Sequence, residues 1–312
     1  MKYDISVIVL CYNPILEKLI NTLQSIVMQK QVSFEIVIAD DGSSDLTYIN
    51  KVYDWFEKKS FKDYKIIKNS TNQGTVKNLL SGVEQAEAQF VKGISPGDFL
   101  HDENVLDRII SIVKEEKYDV CFGMAGYYSY INGEVTLYAR QNPNDLSVYR
   151  KNNKKKFLRN YIYFQDYILG ANLIYKTDVI KKYLLKISPF VKYCEDLSVV
   201  CMINDGLKVK FIDDILIWYE YGVGISTQKN NKWNQIIHAE QKEIYKNAVS
   251  QYPDAYDFVI GKDSNRWINV LRKVIKKPAY LFFLFRATFP SVFHRKLGKV
   301  DTTILKKILD ES

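Results

Sequence analysis

Short apolar runs that end in abrupt polar punctuation alternate along the first part of the chain with stretches whose apolar residues recur every three or four positions. The run 5–10 stops at Cys11-Tyr12-Asn13-Pro14, and Ile36-Val37-Ile38-Ala39 stops at Asp40-Asp41-Gly42-Ser43. Residues 90–94 likewise stop at Ser95-Pro96-Gly97-Asp98, and 118–123 form a further run of the same kind. Four to six apolar residues bounded by turn signals predict buried strands. Between them, Leu16, Leu19, Ile20, Leu23, Ile26 and Val27 fall on one helical face, as do Val76, Leu79, Leu80 and Val83, and Leu106, Ile109, Ile110 and Val113. With a helix over 45–58 and a strand over 64–68, the order βαβαβαβαβ predicts an α/β fold with a mostly parallel, doubly wound sheet.

Right-handed crossovers would set the ends of the first two strands side by side, so that Tyr12 and Asp41 face one cleft. A flat ring beside a carboxylate that accepts from an N–H suits a nucleobase; the alternatives are loop packing for Tyr12 and an ordinary Asp41-Gly42 turn, with Ser43 or Ser44 capping the next helix. Asn69-Ser70-Thr71-Asn72-Gln73-Gly74 reads as a loop, with Thr75 capping the next helix. Lys77 lies in its first turn, where the helix dipole disfavours a cation; either a ligand anion or solvent compensates it. Ile131-Asn132-Gly133-Glu134 predicts a hairpin turn. The polar stretch 141–156, with the basic run 151–156, reads either as a mobile loop on the acceptor side or as a solvated surface. Residues 208–211 and 215–219 read as two short strands. Glu195-Asp196 opens a helix through Leu197, Val200, Cys201 and Ile203, where acids are expected as caps as well as in chemistry.

Composition narrows the class. At 312 residues, 47% hydrophobic and 26% charged, the chain can bury a substantial core. Its formal charge of +8 is concentrated toward the C-terminus, where Arg266, Arg272, Lys273, Lys276, Lys277, Arg286, Arg295, Lys296 and Lys299 bracket Phe282, Phe283, Phe285, Phe289 and Phe293. Such a pattern suits an in-plane membrane helix, and equally a helical appendage packed on the main domain or on a second subunit. No run reaches the roughly 20 apolar residues of a spanning helix, and 5–10 is too short for a signal peptide. The four cysteines are widely spaced, so a reducing cytoplasm, at the inner face of the membrane if the tail docks there, is the expected compartment. No GxGxxG follows the first strand, against a dinucleotide-dependent dehydrogenase. The positive charge carries no nucleic-acid-binding motif, so no nucleic-acid partner is expected.

Taken together, residues 6–13, 37–45, 72–78, 95–98 and the pair Glu195-Asp196 resemble family 2 of the nucleotide-sugar glycosyltransferases, which have the GT-A fold. The five segments occur in the family's order and span about the first 220 residues. The resemblance implies that Tyr12 packs on the donor base, that Asp41, with Asp40 beside it, bonds the base N–H, and that Lys77 and Gly97 lie close to the nucleotide. It makes Asp196 the base that takes a proton from the acceptor hydroxyl, with Glu195 supporting it, and it implies inversion at the sugar. Where the family's metal motif carries aspartates, this chain has Ser95, Gly97 and Asp98. Asp98 alone is left as a ligand for Mn²⁺ or Mg²⁺, which suffices if the donor's phosphates complete the shell. Many relatives place a histidine near 219–227; here Tyr221, Ser226 or backbone amides would serve.

The expected organisation is a GT-A domain over 1–228 and a helical, basic-aromatic region over 229–312. The expected activity is hexosyl transfer, with inversion, from a nucleotide sugar, a UDP-sugar first among them, to a hydroxyl of a saccharide acceptor, lipid-linked or protein-linked, in surface polysaccharide or glycoconjugate synthesis. The alternative is a non-catalytic GT-A-like subunit that binds nucleotide or scaffolds a membrane-associated complex. The eroded 95–98 motif motivates it.

Overall fold

The computed structural model describes residues 2–115, 118–224, 231–260, 266–289, 292 and 301–310. Its strands are β1 (Tyr3–Cys11), β2 (Phe34–Asp40), β3 (Tyr64–Lys68), β4 (Ala88–Ile94), β5 (Phe99–Leu100), β6 (Val120–Ile131), β7 (Glu134–Tyr138), β8 (Leu173–Lys176) and β9 (Val209–Glu220). They form one sheet in the order β3-β2-β1-β4-β8-β6-β9-β5, with β7 paired on β6. The first four are mutually parallel, β6 and β9 continue in parallel, and β8, β5 and β7 run against their neighbours.

The crossovers that predict this arrangement are α1 (Leu16–Val27), α2 (Thr47–Lys58) and α3 (Thr75–Gln85), followed by α4 (Val105–Glu115). Successive residues of a strand point to opposite faces. Ile5, Val7, Val9 and Cys11 therefore pack with Leu19, Leu23 and Ile26 of α1 and with α2 and α4. Ile8 packs on the opposite face with Val76, Leu79 and Val83 of α3 and with the helix Thr177–Ile187. Helices on both faces are why the β1 and β2 runs are apolar without alternation.

The structure differs from the sequence reading in three places. The two short strands expected within 208–219 are one, β9, because Asp213 and Asp214, which interrupt the apolar pattern, are taken up by Arg150 at 2.7 Å and Arg108 at 2.9 Å. The polar stretch 141–156 folds into the short helices Ser147–Arg150 and Lys154–Leu158, with Leu146 and Val148 buried. Buried Asp166 fastens it by accepting from the Asn144 and Asp145 amides at 2.6 and 3.1 Å. At the third, Gly74 rather than Thr75 occupies the N-cap of α3.

The C-terminal helices share the same core. Ile244, Tyr245 and Val249, at and beyond the end of the helix Asn231–Asn247, join the α3 side, as do Phe258 and Phe283. Leu305, Ile308 and Leu309 of the helix Thr303–Asp310 cover Phe99, Tyr128 and Trp218. Among the described residues no helix is long and apolar enough to cross a membrane.

Candidate active site

The strand order reverses between β1 and β4, and the crevice at the carboxyl ends of strands at such a point is where open α/β sheets bind ligands. Tyr12-Asn13 leaves β1 here, beside the end of β2. The two ends are tied: Ser43 Oγ accepts from the Asn13 amide at 2.7 Å, and Asn13 Oδ1 accepts from the Ser44 amide at 2.9 Å. The Tyr12 ring is 54% exposed. Asp40 turns inward and accepts from the Ser43 amide at 2.9 Å, from the Ser43 hydroxyl, and from the Tyr48 hydroxyl at 2.8 Å. Asp41, 3% exposed, accepts from the Gln73 amide at 2.9 Å, the Gly74 amide at 2.8 Å and Asn69 Nδ2 at 3.3 Å. It therefore holds the 69–74 loop across the end of β2. A carboxylate has about four acceptor positions, so capacity for one further donor remains.

The turn after β4 is built around a second carboxylate. Asp98 Oδ1 accepts from the Glu220 amide at 3.0 Å, and the Glu220 carboxylate binds Lys18 Nζ at 2.5 and 2.6 Å. Gly97 makes this approach possible: its φ is +101°, and a Cβ there would collide with Glu220 Oε2. Thr22 of α1 locks the turn from below, its hydroxyl accepting from the Gly97 amide at 3.0 Å and donating to the Asp98 carbonyl at 2.9 Å. Burial pushes the Asp98 carboxyl up to about 7; the Glu220 amide opposes this, the Glu220 charge adds to it, and Lys92 and Lys18 moderate it. Lys92 is itself fully buried on β4, donates to the Ala171 carbonyl, and is pushed down to about 8 by burial.

Glu195 and Asp196 form a one-turn 3₁₀ helix ahead of the helix Ser198–Asn204. Burial raises both carboxyls above the usual carboxylate range. Asp196 adds to the rise at Glu195, Glu240 adds at both, and the amides that favour their charged forms are those of their own turn. The segment before them is held from outside the strand-helix repeat. Glu240, buried on the helix Asn231–Asn247, accepts from the amides of Lys192 at 2.9 Å, Tyr193 at 3.0 and 3.1 Å, and Cys194 at 2.9 Å. One cleft of about 540 Å³ brings the two acidic centres together. Its lining includes Ser95, Pro96, Asp98 and Glu220 on one side and Glu195 and Asp196 on the other, with Asn142, Asn144, Tyr167 and Gln241 around them.

A larger open depression of about 1000 Å³ lies where α2 turns into edge strand β3, lined by Tyr53, Phe61, Tyr64 and Lys65. It sits at the amino end of β3, away from the carboxyl edge, and gathers no comparable cluster of acids.

The model of the glycosyl transferase family 2 matches residues 6–184, more than half of the chain. The chain belongs to this family. No curated protein matches it by sequence. Among solved structures, the 1–349 fragment of S. aureus TarS in complex with UDP-GlcNAc is similar over 96% of this chain and 82% of its own, at 18% identity and a TM-score of 0.54. The same fragment in complex with UDP is similar over 92% and 88%, at 18% identity and 0.51. S. aureus TarS itself is matched over 99% of this chain and 55% of its own length, at 16% identity and 0.54, so this chain spans about half of it. At these identities the likeness establishes the GT-A fold.

Within this family 2 glycosyltransferase, Asp98, Glu195 and Asp196 share the cleft, whereas Lys77 is exposed and lines an adjoining groove with Gln73, Lys192 and Glu240. Tyr12 and Asp41 lie at the ends of β1 and β2, and neither is among the residues that line the cleft. Tyr221 packs against Tyr127 and Tyr138, with the Arg140 guanidinium 4.3 Å from its ring centre. Ser226 lies outside the described residues. Glu220, Lys18 and Glu240 are given no role by the sequence reading: Glu220 meets Asp98 across 122 positions, and Glu240 reaches the 192–194 amides from a helix far along the chain.

Proposed function

We propose that the chain transfers a hexosyl group from a UDP-sugar to a saccharide hydroxyl with inversion, in surface polysaccharide or glycoconjugate synthesis. The observation that carries this reading is the single cleft in which Asp98 and Glu220 face Glu195 and Asp196. Asp196 takes the proton of the acceptor hydroxyl as that oxygen forms its bond to the sugar C1, and the C1–O bond to the diphosphate breaks on the opposite face. Its raised proton affinity suits a base that must hold the proton it removes. Glu195, sharing the turn, orients the acceptor. Tyr12 offers its exposed ring to the uracil, and Asp41 has one acceptor position left for the base N–H. The UDP and UDP-GlcNAc in the TarS structures support a uridine donor.

Among the described residues no group of three or more His, Cys, Asp and Glu side chains converges on a metal position. The donor set nevertheless fits a hard divalent cation of the Mn²⁺ or Mg²⁺ kind. Asp98 is a buried carboxyl with raised proton affinity beside a second carboxylate, and the phosphates of a bound donor would supply the remaining oxygens. Asp98 and Glu220 would hold the ion, which would neutralise charge on the departing diphosphate. Lys18 carries part of that positive charge in the chain itself. Isothermal titration with UDP, with and without Mn²⁺, tests the reading: binding that strengthens with the ion is expected, and no binding under either condition overturns it.

A further inference from the structure

The helix Arg266–Lys276 is mounted with Arg272 and Lys273 toward the protein and its apolar stripe outward. Arg272 donates to the Asp257 carbonyl at 2.6 Å and the Phe258 carbonyl at 3.2 Å. Lys273 lies over the Phe258 and Tyr280 rings at 5.7 and 5.6 Å, and Lys277, just past the helix, over Tyr163 at 3.8 Å. The outward face carries Leu271 at 63% and Ile275 at 72% exposure, with Trp267 one turn earlier at 79%. The next helix, Ala279–Thr288, repeats the arrangement. Phe283 enters the core, while Leu281 is 61% exposed and Val292, beyond the helix, 70%. Most surface leucines need no explanation, but two consecutive helices that turn their apolar stripes to water form a patch that does.

Charge decides what covers it. Between Asp263 and Asp301 the chain holds nine lysines and arginines and no aspartate or glutamate. A second copy would bring an equally cationic segment to the same contact. An anionic bilayer surface satisfies both halves of the pattern, taking the apolar stripes at the acyl boundary while the segment's net positive charge, with Lys276 exposed among it, attracts the headgroups. The patch is also joined to the cleft: Arg286 reaches the Asn144 carbonyl at 3.5 Å and Asp145 at 3.5 Å, and Asn144 lines the cleft wall.

We infer that the outward faces of the helices Arg266–Lys276 and Ala279–Thr288 seat the enzyme on an anionic lipid surface, with the acceptor side of the cleft next to the bilayer. The reading of Asp196 as base is not needed for this, and the docking is measured without turnover. Flotation of the full chain with phosphatidylcholine vesicles containing phosphatidylglycerol should recover it in the lipid fraction, and recovery should fall as salt is raised. Vesicles of phosphatidylcholine alone should recover markedly less. The double variant Leu271→Glu with Ile275→Glu should lose at least about tenfold of the partitioning and keep the wild-type melting temperature, since both side chains are exposed. Full partitioning of that variant, or equal binding to both vesicle types, overturns the proposal. So does self-association of the wild type in sedimentation velocity that the variant abolishes, if vesicles recover neither protein. The salt dependence is read on the wild type, so a variant that failed to fold would leave a decisive measurement in place.

Discussion

The chain carries two pairs of adjacent acids at element boundaries, Asp40-Asp41 and Glu195-Asp196, and the fold treats them in opposite ways. The first pair is surrounded by donors: the Ser43 amide and hydroxyl and the Tyr48 hydroxyl serve Asp40, and the Gln73 and Gly74 amides and Asn69 serve Asp41. Asp40's charge fastens the turn after β2 and α2, and Asp41's ties the end of β2 to the 69–74 loop. Among the described residues the second pair has only the amides of its own turn and is raised by burial, while Glu240 supports the backbone just ahead of it rather than its carboxylates. A carboxylate satisfied by fixed donors positions a loop; one left with few donors in a cleft retains an affinity for protons that chemistry can use.

The sharpest way to break this comparison is Asp196→Asn. If the second pair works through proton transfer, kcat should fall on the order of 10³-fold, while the Kd for UDP and the melting temperature stay near wild type. A loss of UDP binding in parallel with kcat would place Asp196 in the same positioning role as Asp41. The reciprocal change, Asp41→Asn, puts a donor where two amides and an amide side chain already donate. It should cost about 2–3 kcal/mol of stability and weaken UDP binding, read by denaturant unfolding and by titration. Unchanged stability would mean that the loop is held by its other contacts.

The elements around the first pair were legible because the signals are local. An apolar run, a break and a periodic helix face specify β1, β2 and α3, and parallel pairing then sets Asn13 against Ser43 and Ser44. The surroundings of Asp98 and of the second pair were not legible, because their partners come from far along the chain. Glu220 ends a strand that reads as two pieces until Arg150 and Arg108 neutralise its aspartates. Nothing in the spacing of Lys18 or Glu240 announces an ion pair with Glu220 or a clamp on the 192–194 amides. Burial, which raises Asp98 and both members of the second pair, is a tertiary property that neighbouring residues do not encode.

The smallest effect concerns Asp98, which stands between the two cases: one fixed donor from the Glu220 amide, but strong burial. Its carboxyl ordinarily titrates at 3.8 and is pushed up to about 7 in the folded chain, so the fold binds this proton more tightly than the unfolded chain does. The stabilisation is fully present below about 4 and is lost as pH rises through about 4 to 7, the window between the two affinities. Asp98→Asn keeps the shape and cannot ionise. Relative to this variant, the wild type should lose about 2 kcal/mol of stability between about pH 5 and pH 6.5, measured by urea unfolding at each pH in metal-free buffer. Mn²⁺ with UDP should then restore stability to the wild type and not to the variant, because a cation beside the carboxylate favours the charged form. A wild type and variant with parallel pH profiles would show that Asp98 stays ionised through its Glu220 amide bond, and would move it into the class of Asp41.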